Sequence, residues 1–302
     1  MRPRVLVRGD CVGLCAPSGF VSHEVLDRAV QALEEFGLCV KVGESCFRQH
    51  GYLAGTDEVR AADFNRFAAA DNIAGIFAVR GGYGAQRILP MLDWNAIRRG
   101  GKPFFGYSDA TAIHTAIQQR CGLMSFHTPM PATELRFGLD AFSMASYESC
   151  LFGGETRELC NPLGQDIVSM SNGVCEGLLT GGNLSVLAVS LGTPYTLDAR
   201  GKVLFLEEVG EAPYRVDRML TQLALAGVFA DCAGVLLGAF TGCDAPVPQA
   251  SLALEQVLEA RFAGIGKPVL RGVACGHVLP SLSLPLGARV RMDAGVCRVD
   301  MV

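Results

Sequence analysis

Through the first half of the chain, short apolar runs end in turns of glycine, proline or serine, and each run is followed by a segment with helical spacing. Val12 to Cys15 is apolar and stops at Ala16-Pro17-Ser18-Gly19. A helix follows, with Ser22 at its N-cap, Leu26, Ala29, Val30 and Leu33 on one face, and Gly37 at its end. Leu38 to Val42 reads as a second strand, and Thr56 caps a helix that turns Val59, Ala62 and Phe67 inward. Ile73 to Val79 is a third strand and runs into Arg80-Gly81-Gly82-Tyr83-Gly84. Pro103 to Tyr107 is a fourth, followed at once by a helix through Ala110, Ile113, Ala116 and Ile117. Such alternation has few solutions, because parallel strands need crossovers and the helices that supply them cover both faces of the sheet. The expected class is α/β.

At 302 residues the chain fits one large or two ordinary domains. The pattern weakens from Ser146 to Gln165, at Gly153-Gly154, Asn161-Pro162 and Gly164, which reads as a linker (146–165) between domains 1–145 and 166–302. Beyond it, Val203 to Leu206, Val235 to Ala239 and Ala288 to Met292 are strand-like, and Tyr214 to Leu225 is helical. Glycine and proline punctuate this half, as in a smaller mixed domain. With a formal net charge of -4, electrostatics draw the chain to neither nucleic acid nor an anionic membrane. Twelve cysteines occur without a Cys-x-x-Cys pair, so they read as free thiols of a reducing compartment and not as metal ligands. Arg8 and Asp10 interrupt the first apolar stretch, which excludes a signal-peptide core, and no run is long enough to cross a membrane. A cytoplasmic protein without metal or cofactor is expected.

Gly106-Tyr107-Ser108-Asp109 is the most informative local feature. A strand ends, a serine stands at the break, and a helix begins, which puts the hydroxyl at the carboxyl edge of a parallel sheet. Amides at a helix start favour developing negative charge, and the N–H of Asp109 is a natural oxyanion donor. Local pattern alone favours a simple N-cap serine. A nucleophilic serine needs a base. Of the five histidines, His23, His50 and His114 read as solvated or structural, while His127 and His277 both follow strands and spacing cannot rank them. Glu207 and Glu208 end an apolar strand, where alternation sends them to opposite faces, so only one can orient a given imidazole; the bland reading is a solvated acid pair. The Arg80 to Gly84 loop lacks the residues of a P-loop or dinucleotide site, but its glycines let backbone approach a substrate and offer a second oxyanion N–H at Gly82. Gly181-Gly182-Asn183 reads as a turn and cap.

Taken in order, these segments resemble the LD-carboxypeptidase family of serine peptidases, which includes the microcin immunity peptidases. The resemblance runs from Ala16-Pro17-Ser18-Gly19 through Arg80 to Gly84, Gly106 to Asp109, Gly181-Gly182-Asn183-Leu184 and Leu206-Glu207-Glu208. It continues through Pro213 to Leu220 and Gly276-His277. It implies an N-terminal Rossmann-like domain carrying the nucleophile Ser108. A smaller β-rich C-terminal domain would carry the acid Glu207 and the base His277, with the site in the cleft. It further implies a cytosolic homodimer that uses no metal and releases terminal D-alanine from murein tetrapeptide in cell-wall recycling. A carboxypeptidase must also bind the terminal carboxylate; Arg80 and Arg215 are the candidates, with Asn183 a further substrate-binding candidate. Two other functions are weighed. One is a microcin-immunity-type peptidase acting on aminoacyl- or peptidyl-nucleotides, which needs an aromatic face for the base; Trp94 reads instead as a packed surface turn. The other is a non-catalytic nucleotide-binding module using the Arg80 loop.

Overall fold

The computed structural model describes residues 1–153, 158–245 and 247–302. In chain order the early elements are β1 (Cys11–Cys15), α1 (His23–Glu35), β2 (Cys39–Val42), α2 (Asp57–Ala69), β3 (Gly75–Ala78), α3 (Ala85–Ile88), α4 (Trp94–Gly100), β4 (Phe104–Gly106), α5 (Thr111–Cys121), β5 (Ser125–His127) and α6 (Ala141–Phe152). Then follow β6 (Val168–Ser171), β7 (Val174–Asn183), α7 (Leu184–Ser190), β8 (Val203–Val209), α8 (Pro213–Leu225), α9 (Val228–Asp231), β9 (Gly234–Thr241), α10 (Leu254–Phe262), β10 (Val269–Arg271), β11 (Leu284–Leu286), β12 (Arg289–Asp293) and β13 (Arg298–Met301). They form two compact units, Met1–Glu155 with Ser283–Gly287 and Thr156–Leu282 with Ala288–Val302.

The first unit is a sheet ordered β11-β5-β4-β3-β1-β2, with β1 to β5 parallel. From β1 the chain goes first to β2 on one side and then to β3 on the other. The chain therefore reverses its winding between β1 and β3, and the carboxyl edge at such a reversal is the usual ligand position in doubly wound folds. Burial explains why the strands read as unbroken apolar runs: all of β3 and β4 is inside. Phe77, Phe105 and Phe126 stack across three adjacent strands, with ring centroids 4.4 and 5.0 Å apart. Ser22 caps α1, accepting from the Val25 amide, and Leu26, Ala29 and Leu33 face the core.

Three expectations are corrected here. Residues 146–152, expected as linker, are the last turns of α6, whose buried Ser143, Tyr147 and Leu151 recur every fourth residue amid polar and small neighbours that dilute the apolar signal. Residues 154–157 of that expected linker lie outside the described residues. The first unit also takes its edge strand from far along the chain, since β11 pairs antiparallel with β5 through Leu284 and His127. Finally, α2 buries Phe67 but exposes Ala62, because its inner face carries the charged Arg60 and Asp63.

The second unit is a sheet ordered β13-β12-β7-β8-β9-β10-β6, parallel from β7 to β10 and antiparallel at both edges. Leu204 and Leu206 of β8 join Leu187 of α7, Val216 and Leu220 of α8 and Phe262 of α10 in its core. Among the described residues no helix is long and apolar enough to cross a membrane.

His114 shows how the first sheet is braced. Its ring is 1% exposed, with Nδ1 2.7 Å from the Ser125 hydroxyl and Nε2 2.8 Å from the Gly106 carbonyl oxygen, so α5 ties the end of β4 to the start of β5. Burial lowers its pKa from 6.5 to about 4. Between those values the unfolded chain binds a proton that the folded imidazole refuses. The stability this group allows is thus whole above pH 6.5 and is lost as pH falls toward 4, by on the order of 3 kcal/mol. In denaturant titrations His114→Gln is expected to flatten the dependence of unfolding free energy on pH across that window. Asp109, whose burial raises its pKa, acts with the opposite sign in both chains and cancels from the difference.

Candidate active site

Ser108 stands at the carboxyl edge of the first sheet in a left-handed backbone conformation, φ 62°. For a residue other than glycine this conformation costs on the order of 1 kcal/mol or more, so the surroundings must impose it. Glycine makes room on both sides. A Cβ on Gly81 would lie 2.9 Å from the Ser108 Cβ and 3.0 Å from its Oγ, and a Cβ on Gly106 would lie 3.0 Å from that of Ala78. The N-cap reading of Ser108 is corrected: Tyr107 precedes the short 3-10 turn Ser108–Ala110, and Ala110 holds the cap position of α5. A serine forced onto a sharp strand-to-helix turn projects its hydroxyl away from the sheet.

The next residue locks that turn. The Asp109 carboxylate is buried, and one oxygen accepts from the Ser18 hydroxyl at 2.6 Å and the Ala85 amide at 2.8 Å. Burial pushes its pKa up, while these donors and the charge of Arg60 pull it back. The loops after β1 and β3 are joined by the Gly19 amide donating to the Gly81 carbonyl oxygen at 3.2 Å. Gly82 has φ 122°, and a Cβ there would press on the Gly19 backbone at 3.3 Å. Arg80 is exposed, and its guanidinium donates to the carbonyl oxygens of Gly81 and Phe20 at 3.3 Å each. It lines a cavity of about 480 Å³ with Gly19, Phe20, Tyr52, Gly82 and Tyr83. Tyr52 and Tyr83 are exposed and meet edge to face at 5.8 Å.

In the second unit, Glu207 lies in the buried stretch of β8 with none of its surface exposed, and its Oε2 lies 2.7 Å from Nδ1 of His277. The His277 side chain keeps 18% of its surface exposed. Gly276 has φ 116°, and a Cβ there would lie 2.7 Å from that same carboxylate oxygen; the turn can sit on Glu207 only as glycine. The register of β8 against β9 shifts between Leu206 and Glu208.

The solvated-pair reading of the two acids is corrected too, since Glu208 is buried as well. At the start of α7 it accepts from the Asn183 side-chain amide at 3.0 Å and from the Ser185 amide at 2.8 Å and hydroxyl at 2.6 Å, and within β8 it accepts from the Val209 amide at 2.8 Å. Asn183 is buried, accepts from the Val186 amide as the cap of α7, and thereby serves Glu208. Arg215 lies in the first turn of α8, exposed, 3.3 Å from Glu211, its Nε donating to the Tyr214 hydroxyl at 3.1 Å. His127 is buried beside Tyr107, ring centroids 5.4 Å apart, and His23 and His50 are exposed. Arg120 stands 5.6 Å over the ring of Trp94. Sequence reasoning missed Arg60, Ser18 and Gly276 as shapers of the site; Ser18 and Gly276 stand inside turns it had noted, whereas nothing around Arg60 marks it. Among the described residues no group of three or more His, Cys, Asp or Glu is placed to hold a metal.

A strained serine at a parallel sheet's carboxyl edge, and a histidine hydrogen-bonded to a buried carboxylate, are the parts of a serine-type hydrolase. Comparison with known proteins agrees: the LD-carboxypeptidase N-terminal domain matches residues 12–128 and the LD-carboxypeptidase C-terminal domain residues 176–292. The chain belongs to the LD-carboxypeptidase family. It is 43% identical over 298 residues to a probable murein peptide carboxypeptidase of Bacillus subtilis, covering 97% of this chain and 91% of that one. The crystal structure of muramoyltetrapeptide carboxypeptidase from Oxalobacter formigenes matches with a TM-score of 0.82 at 28% identity, covering 96% of this chain and 97% of that one. The microcin C7 self-immunity protein MccF of Escherichia coli is 25% identical over 319 residues, covering 95% of this chain and 92% of its own.

Gly276→Ala combines a positive φ with a collision against Glu207. It is expected to destabilise the fold by about 1–3 kcal/mol, read as a lowered urea midpoint. Gly122→Ala, at φ 66° with open space around its Cβ, is the control for backbone strain alone.

Proposed function

We propose that the protein is a serine carboxypeptidase that hydrolyses the L,D-amide bond of murein tetrapeptide and releases its terminal D-alanine. The observation that carries this reading is the buried Glu207 held 2.7 Å from Nδ1 of His277, in a family whose serine motif falls on the strained Ser108. In the proposed chemistry Ser108 Oγ attacks the amide carbonyl carbon as His277 Nε2 takes its proton. Glu207 accepts from Nδ1–H, fixes the tautomer and stabilises the imidazolium. The N–H groups of Asp109 and Gly82 hold the oxyanion. His277 then protonates the leaving D-alanine nitrogen as the C–N bond breaks. Water, deprotonated by His277, cleaves the acyl-enzyme ester and returns the serine hydroxyl. Arg80 is the better placed of the two arginines for the terminal carboxylate, because it lines a cavity beside Gly82 whereas Arg215 is engaged with Glu211 and Tyr214. Asn183 is read as a support for Glu208, one step removed from substrate.

A second reading, action on aminoacyl- or peptidyl-nucleotides, is favoured by one observation: the exposed Tyr52 and Tyr83 beside Arg80 offer a base an aromatic face that Trp94, under Arg120, does not. The free state of all twelve cysteines supports a reducing, cytoplasmic setting. A homodimer is proposed from the family resemblance, with light scattering at twice the monomer mass as its check.

The test is D-alanine release from murein tetrapeptide, with a peptidyl-nucleotide run in parallel. Wild type is expected to release D-alanine, and Ser108→Ala to lose at least about 10³-fold in kcat. The two glutamates separate in opposite directions. Glu207→Gln should lose about 10²- to 10⁴-fold in kcat at nearly unchanged melting temperature, since Oε1 of Glu207 has no hydrogen-bond partner among the described residues. Glu208→Gln turns an NH₂ toward hydrogen-bond donors and should melt lower, by about 1–3 kcal/mol of stability, while its folded fraction stays active. Nucleotide cleavage without D-alanine release would reverse the choice of substrate. Retained activity in Ser108→Ala would overturn the serine mechanism. Nucleotide binding that survives this substitution without any cleavage would point to a binding module instead.

A further inference from the structure

Arg60 of α2 has no exposed surface, and a guanidinium is costly to bury unless its donors are used. Its Nη2 meets Asp57, which also accepts from Arg87. Its Nη1 is shared between two main-chain oxygens, that of Pro17 in the loop after β1 and that of Gly84, 2.8 Å away, in the loop after β3. A Cβ on Gly84 would fall 2.7 Å from Nη1, so a side chain there would displace the guanidinium. The residue following each of these carbonyls donates to Asp109: the Ser18 hydroxyl at 2.6 Å and the Ala85 amide at 2.8 Å, both on one oxygen. Two short segments, Pro17-Ser18 and Gly84-Ala85, are therefore each gripped by a buried cation at the carbonyl and a buried anion one residue on. Pro17-Ser18 opens the loop after β1 and Gly84-Ala85 closes the loop after β3, the two loops that flank Ser108, and Gly81 of the second lies against its hydroxyl.

We propose that Arg60 and the Asp109 carboxylate are a pair of positioning residues, which clamp the loops after β1 and β3 onto the Ser108 turn and so set where the Asp109 and Gly82 amides point. The proposal rests on reading Ser108 as the nucleophile. Two buried charges joined only for stability would do as well or better as apolar residues. Here they act through shared peptide segments, which constrains the placement of oxyanion donors, and misplacement by about 1 Å is enough to cost two orders of magnitude in rate.

Arg60→Met and Asp109→Ala break the clamp, while Arg60→Lys and Asp109→Asn keep a donor and an acceptor of similar reach. Each is compared with wild type in three ways. A fluorophosphonate counts reactive Ser108 by the endpoint of labelling and reads its reactivity by the rate. D-alanine release gives kcat per labelled site and KM. Amide hydrogen exchange follows the peptide spanning residues 106–112. In Arg60→Met and Asp109→Ala we expect kcat per labelled site and labelling rate to fall about 10- to 100-fold with KM within about twofold. Exchange in 106–112 should quicken while the second unit's core strands stay protected, and the conservative pair should recover most of the loss. A merely structural role would lower the endpoint and leave kcat per labelled site at the wild-type value; that result, or unchanged exchange in 106–112, overturns the proposal. If wild-type Ser108 is not labelled, the nucleophile reading fails and the proposed positioning role with it. If it is labelled but no D-alanine is released, only the murein substrate fails, and labelling rate with exchange still decides the clamp.

Discussion

The left-handed backbone at Ser108 is the constraint around which the first unit is arranged. A strained residue persists only where neighbouring contacts leave it no alternative. Those contacts are specific: Gly106 lets the end of β4 lie against Ala78, Gly81 brings the neighbouring loop onto the serine, and Asp109 ties the turn to Ser18 and Ala85. His114 reaches back from α5 to the Gly106 carbonyl oxygen and holds the strand end from below. The sheet order explains why these pieces meet, because β4, β3 and β1 are neighbours and the loops that leave their carboxyl ends lie side by side.

The second unit solves a different problem, that of two adjacent buried carboxylates. Unpaired, each would be severely penalised. Alternation along β8 sends them to different partners: Glu208 to the start of α7, where the Ser185 amide and hydroxyl and the Asn183 side-chain amide join the Val209 amide in binding it, and Glu207 to an imidazole nitrogen of His277. The difference is chemical as well as spatial. A carboxylate gripped by four donors is held in place, whereas one that meets an imidazole nitrogen through a single oxygen orients that ring.

The sheet strands and the α/β class were legible because buried parallel strands read as apolar runs, and the turns because glycine and serine mark them. The sites at Gly106 to Asp109 and Leu206 to Glu208 stand out for the same reason: polar residues at the ends of apolar strands. What was hidden depended on partners distant in sequence. A periodicity reading turned Ala62 inward because charged residues count as outward, whereas Arg60 and Asp63 are drawn inside by loop carbonyls and amides that the local sequence does not display. Leu284 to Leu286 carries no mark of pairing with β5, about 160 residues earlier, since register between distant strands is set by the assembled sheet. Nor could spacing choose between His127 and His277. One packs beside Tyr107 and the other against Glu207, and only tertiary placement separates them.

Both units place their reactive-looking side chains by the same means. In each, a glycine whose Cβ would strike the side chain is pressed against it: Gly81 on Ser108, and Gly276 on Glu207. Backbone brought this close positions a group more firmly than a rotamer choice, because main chain inside a packed fold yields far less than a flexible side chain. It also divides the work along the loops. The glycines and the buried Arg60–Asp109 arrangement bear on the geometry of the Ser108 turn, while Arg80 and Tyr83 of the loop after β3 and Tyr52 of the β2–α2 connection are exposed beside it. Under such a division the outward side chains can change without moving the backbone that holds the serine.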